Sequence, residues 1–117
     1  MLKVLSFLKR RADLEPRAFR DYYENHHIPL VLSMARAPLV YKRNYVQREP
    51  PLLDGGAAIA FDVVTEQIFA DQAAFDVWVH SLTGPGAGEK IREDEARFLD
   101  HSHYFAYFVE EETTATT

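Results

Sequence analysis

Apolar and polar positions change period along the chain, and each change marks an element. Residues 2 to 9, LKVLSFLK, are dense in apolar and β-forming side chains, and RRAD breaks the run, which predicts a first strand and a turn. From Pro16, acceptable in a first helical turn, Phe19, Tyr22, Tyr23, His26, His27 and Leu30 recur at i, i+3, i+4, i+7, i+8 and i+11. Arg17, Arg20, Asp21, Glu24 and Asn25 take the other face, so this helix turns both histidines toward the interior. Pro29 lacks an amide hydrogen and pushes Ile28 out of helical geometry, so the helix is expected to end or kink within a residue or two of His27. At about 100° per residue, His26 is expected near the centre of the apolar arc and His27 on its flank.

Residues 39 to 48, LVYKRNYVQR, predict a second strand, EPPLLDGG a connection, and AAIAFDVVTE, residues 57 to 66, a third strand. Residues 71 to 83 return to helical spacing, with Asp71 as N-cap and Phe75, Trp78, Val79 and Leu82 as the buried stripe. TGPGAG ends that helix in a flexible loop and lacks the lysine and hydroxyl of a phosphate-binding loop. EKIREDEARFLD adds a turn or two of helix, HSHYFAYFVEE a last strand, and the tail at residues 113 to 117 is expected to fray. The order β-α-β-β-α-β predicts one ferredoxin-like α+β domain over residues 1 to 112, with a four-stranded antiparallel sheet covered on one face by two main helices.

A sheet covered on one side should alternate apolar inward with polar outward. In the last strand Phe105, Tyr107 and Val109 oppose Tyr104, Ala106 and Phe108, and in the third Ile59, Phe61 and Val63 oppose Ala58, Ala60 and Val64. Both faces read as buried, while the chain has helix enough for one. Burial of apolar surface gains about 25 cal/mol per Å², so a second subunit packed sheet to sheet about a two-fold axis is the expected cover.

Charge and cysteine usage narrow the partners. A net charge of −5 disfavours attraction to nucleic acid and anionic membranes, and with no cysteine there are no disulfides, thiolate nucleophiles or thiolate metal sites. Lys3 and Lys9 interrupt the N-terminal apolar run, and nothing approaches a membrane span, so a cytoplasmic location is expected.

Two blocks, FLKRRADLEPRAFRDYYENHHIPLV and EDEARFLDHSHYFAYFVEEE, resemble the EthD domain family, most sharply at the His-x-Pro ending of the first (His27, Pro29) and at Asp94 to Asp100 in the second. The resemblance runs from Met1 to about Glu112 and implies a dimeric α/β barrel, in which two ferredoxin-like units pair through their sheets, with a small pocket in each. The family takes in ring-forming or ring-aromatising dehydratases of polyketide-like substrates and members linked to ether degradation.

His27, where the family motif falls, is assigned as the general acid/base, with a helix-end dipole favouring its proton and burial opposing it. His26 reads as a core histidine and a second catalytic candidate. Asp62, among apolar neighbours, either orients an imidazole or faces water. Tyr41 and Tyr45 share one face of the second strand, with Lys42 and Asn44 on the other. Tyr45 or Asn44 is a candidate to polarise a carbonyl, and Tyr23, Tyr41 and Trp78 to wall a pocket. His101 and His103 have the i, i+2 spacing some metal sites use, with Asp100 or Asp94 as third ligand, but two histidines do not close a site and no metal is assigned. Three function classes follow. The favoured one is cofactor-free acid/base catalysis, of the lyase or isomerase type, on a small apolar or aromatic, polyketide-like molecule. The others are an oxidoreductase of oxidative degradation, monooxygenase-like, and a non-catalytic dimeric ligand-binding protein.

Overall fold

The computed structural model describes residues 1–55 and 58–117. Along the chain stand β1 (Leu2–Arg10), α1 (Pro16–Tyr22), a π-helical turn (Tyr23–His27), α2 (Ile28–Met34), β2 (Val40–Tyr45), β3 (Val63–Phe69), α3 (Gln72–Thr83), α4 (Ala87–Glu95) and β4 (Leu99–Val109). The strands form one antiparallel sheet in the order β2-β3-β1-β4, the ferredoxin-like α+β arrangement expected. Among the described residues no helix is long and apolar enough to cross a membrane.

Alternation in β1 sets the layering. Val4, Ser6 and Leu8 are buried toward the helices, while Leu5 and Phe7 project to the opposite face. Across the sheet Leu8 pairs with Val63 and Tyr104, and Ser6 with Thr65 and Ala106, so small and hydroxylic side chains meet at the middle of the helix-facing side. The core is accordingly split in two. One cluster gathers Leu8, Phe19, Tyr23, Ile28, Val63, Phe98 and Leu99, and the other Val4, Val31, Ala35, Phe69 and Trp78.

The first helix departs from its expected end. It continues through Pro29 to Met34, because a π-helical turn precedes the proline. In that wider turn the Ile28 N–H reaches back to the Tyr23 carbonyl, and Pro29 sits in the first turn of α2, where its missing N–H is tolerated. The extra residue also corrects the facing of the histidines. Residues four apart now align, so Phe19, Tyr23, His27 and Val31 point inward and His26 points to solvent. The regular winding assumed from the sequence reverses the two rings.

β3 begins at Val63, later than the expected 57 to 66, because burial of Val63, Thr65 and Phe69 on the helix side fixes its phase against β1. Ala57, counted in the expected strand, and Gly56 of its connection lie outside the described residues. α3 matches its expected span: the Asp71 side chain accepts from the Ala74 N–H at 2.8 Å and caps it. α4 starts within TGPGAG, so only residues 84–86 form the loop. A Cβ on Gly88 would lie 3.0 Å from the Thr83 carbonyl oxygen, a close approach that holds α4 against the end of α3.

The sheet face away from the helices carries Leu5, Phe7, Val64, Ile68, Phe105 and Tyr107, with Phe61 packed between Phe7 and Phe105 at 5.5 and 5.9 Å. Phe105 and Tyr107 are 41% and 60% exposed within the single chain, so this apolar face is open.

Candidate functional site

Between the two core clusters lies a cavity of about 320 Å³. Ser6, Thr65 and Gln67 of the sheet make a polar floor; the long helix supplies Tyr23, His27 and Val31, α3 supplies Phe75 and Trp78, and α4 supplies Ile91 and Glu95. Tyr41 closes one side, and Tyr104 and Phe108 of β4 the other. Its walls are mainly apolar, with a few polar groups converging on the floor.

His27 is buried, and its Nδ1 lies 2.8 Å from Asp94 Oδ2. The other oxygen of Asp94 accepts from the Tyr22 hydroxyl at 2.5 Å, which fixes the carboxylate. With Asp94 ionised, Nδ1 carries the hydrogen and Nε2 the free lone pair. Burial lowers the His27 pKa below its ordinary 6.5, opposed by Asp94, so the neutral ring dominates at pH 7. Because the helix runs on past His27, the expected helix-end dipole does not act on this ring.

The remaining sequence candidates divide. Tyr23, Tyr41 and Trp78 line the cavity. Tyr23 shares a hydrogen bond with Thr65 Oγ1 at 2.7 Å, and Tyr41 meets Trp78 edge to face at 5.7 Å, its phenol pushed up to about 12 by burial. His26 is exposed and stacks on Tyr22 at 4.8 Å, so it is not the core histidine expected. Asp62 stands apart from the imidazole: it accepts from the Arg10 amide at 2.8 Å and from Arg48 Nη1 at 3.0 Å, tying down the chain before β3. Tyr45 donates to Glu24 Oε2 at 2.6 Å, away from the cavity. Asn44 faces the open side of the sheet and donates to the Val64 carbonyl and Glu66. His101 is exposed, His103 lies 2.8 Å from Ser102 Oγ, and among the described residues no cluster of three metal-ligating side chains forms.

Two acidic residues were missed as site groups. Asp94, considered only as a metal ligand, is the imidazole's partner, and Glu95 lines the cavity. Their signal was the adjacent pair of carboxylates just before the apolar Phe98 and Leu99, where α4 turns into the sheet. Burial, and then the charge of Asp94, raise Glu95 from the ordinary 4.5 to about 7. The folded state therefore binds this proton more tightly than the unfolded one, and stability is lost as pH rises from 4.5 through 7. Allowing for partial exposure, about 1–2 kcal/mol of unfolding free energy is expected to disappear over that window. Glu95→Gln should remove this loss, read by urea unfolding of both proteins at pH 5 and pH 8.

The EthD domain profile matches residues 11–102. A comparison with curated proteins finds no match. Among solved structures, an ethyl tert-butyl ether D (EthD) family protein from Bacillus halodurans C-125 superposes with a TM-score of 0.62 at 18% identity, covering 96% of this chain and 100% of its own. The Arabidopsis thaliana protein At3g17210 does so with 0.62 at 9% identity, over 99% of this chain and 100% of its own. HapK from Hahella chejuensis gives 0.60 at 12% identity, with all of both chains covered. At these identities the likeness is one of fold.

Proposed function

This chain belongs to the EthD domain family, and from that premise we propose an enzyme that moves a proton next to a carbonyl in a small apolar or aromatic substrate, with His27 as the base. The observation that carries the reading is the His27–Asp94 pair, 2.8 Å apart, on the wall of an aromatic-lined cavity. Asp94 holds the ring and stabilises the imidazolium formed when Nε2 accepts a proton. The aromatic lining suits a planar molecule, and the hydroxyls on the floor suit its oxygen. Removal of a proton α to a carbonyl opens the dehydration, cyclisation or isomerisation expected for polyketide-like substrates.

The test is exchange. In D2O buffer at pH 7 the α-protons of 1-tetralone and related aryl ketones, followed by NMR, should be lost faster with the protein than without it. Equal rates across the set would sink the reading.

The open sheet face supports a homodimer closed by sheet packing, since exposed apolar patches of this kind mark association surfaces. The parent is expected to sediment as a dimer at micromolar concentration, and Phe105→Glu as a folded monomer. A parent that sediments as a monomer would remove this proposal.

A further inference from the structure

Among the described residues, Glu95 is the one carboxylate lining the cavity, and no lysine or arginine lines it. Its side chain makes no hydrogen bond or ion pair among the described residues. We propose that the cavity binds a ligand bearing a protonated amine or quaternary ammonium, held between the Glu95 carboxylate and the aromatic rings of Trp78 and Tyr104.

Three observations converge on a cation. First, the charges near Glu95 do not neutralise it: Asp94 beside it is also acidic, Arg92 lies exposed one turn back on the same helix, and Tyr104 from β4 and His27 across the cavity are uncharged at neutrality. A half-buried carboxylate so placed is stabilised most by a ligand that brings the missing positive charge. Second, rings such as Trp78 and Tyr104 present negative faces, which attract organic cations, and the pairing of aromatic walls with an acid is how ammonium groups are recognised. Third, the chain's net charge of −5 draws cations and repels anions. A metal ion is the poorer fit, because a lone carboxylate among rings offers too few oxygens for a hard cation. Since a ligand cation favours ionised Glu95, binding near pH 7 should release a proton.

This inference shares the cavity with the proton-transfer reading but not its chemistry, and neither result decides the other. Trp78, the only tryptophan, reports binding by its fluorescence. Titration at pH 7.5 with benzyltrimethylammonium, benzyl alcohol and benzoate should find the ammonium bound about tenfold or more tightly than the other two, a preference that Glu95→Gln abolishes. Calorimetry of the parent in two buffers of different ionisation enthalpy should show proton release with the ammonium, and decides the matter should the variant fail to fold. The proposal is overturned if benzyl alcohol binds as tightly as the ammonium, which would make Glu95 a neutral donor to oxygen. It is equally overturned if the variant keeps the preference, if no proton is released, or if the ammonium does not bind.

Discussion

Phe98→Ala is expected to lower the unfolding free energy by about 3–5 kcal/mol, the range for truncating a fully buried phenylalanine. Phe98 has no exposed surface and lies where α4 hands over to β4. Its ring sits 5.8 Å from Phe19, 5.3 Å from Tyr22, 5.5 Å from Tyr23 and 4.8 Å from His27. Its carbonyl also accepts from the Arg11 amide at 2.8 Å, so the backbone there is pinned and cannot slide to fill the void. Because a domain of this size holds about 5–15 kcal/mol in all, the variant should show a much lower urea midpoint, whereas Phe98→Leu should lose far less. A loss under about 1 kcal/mol for the alanine variant would mean that the first core cluster does not depend on this ring.

His27→Ala is expected to reduce protein-catalysed α-proton exchange by about 10² to 10⁴, the contribution typical of a positioned base. Asp94→Asn keeps the shape of the site but takes away the charge that stabilises the imidazolium, so a smaller loss is expected there. The pH profile carries its own sign. A base whose pKa lies below 6.5 is available at pH 7, and the rate should fall only as acidity protonates the ring below that value. Stability follows the same limb: the unfolded chain binds the His27 proton more readily than the folded one, so this residue's contribution is lost as pH falls below 6.5, opposite to Glu95. An exchange rate unchanged in His27→Ala would remove the residue from the mechanism.

The legible parts of the chain are those whose signal is local. β1 alternates with a period of two, and α3 opens on an aspartate that caps its own third following amide, so each could be read from a short window. The double-sided apolar character of β4 was legible for the same reason. What escaped depends on residues far apart. Asp94 reaches His27 across 67 positions, and Asp62 meets the Arg10 amide across 52, so no spacing rule could choose between the two carboxylates. The burial of Glu95 needs α4, β4 and the long helix assembled together. The inward turn of His27 needs the wide turn, which tertiary packing selects and a regular period of 3.6 cannot express.

That turn has an evolutionary corollary. A π-helical turn takes one more residue than a regular turn, so a homologue lacking one residue between positions 23 and 27 would wind regularly through this stretch and keep the faces on either side aligned. A homologue of unchanged length that wound regularly here would instead turn everything upstream by about 100° against everything downstream and swing its imidazole toward water. A single-residue gap in an alignment would thus mark descendants that dropped the wide turn while retaining the inward imidazole.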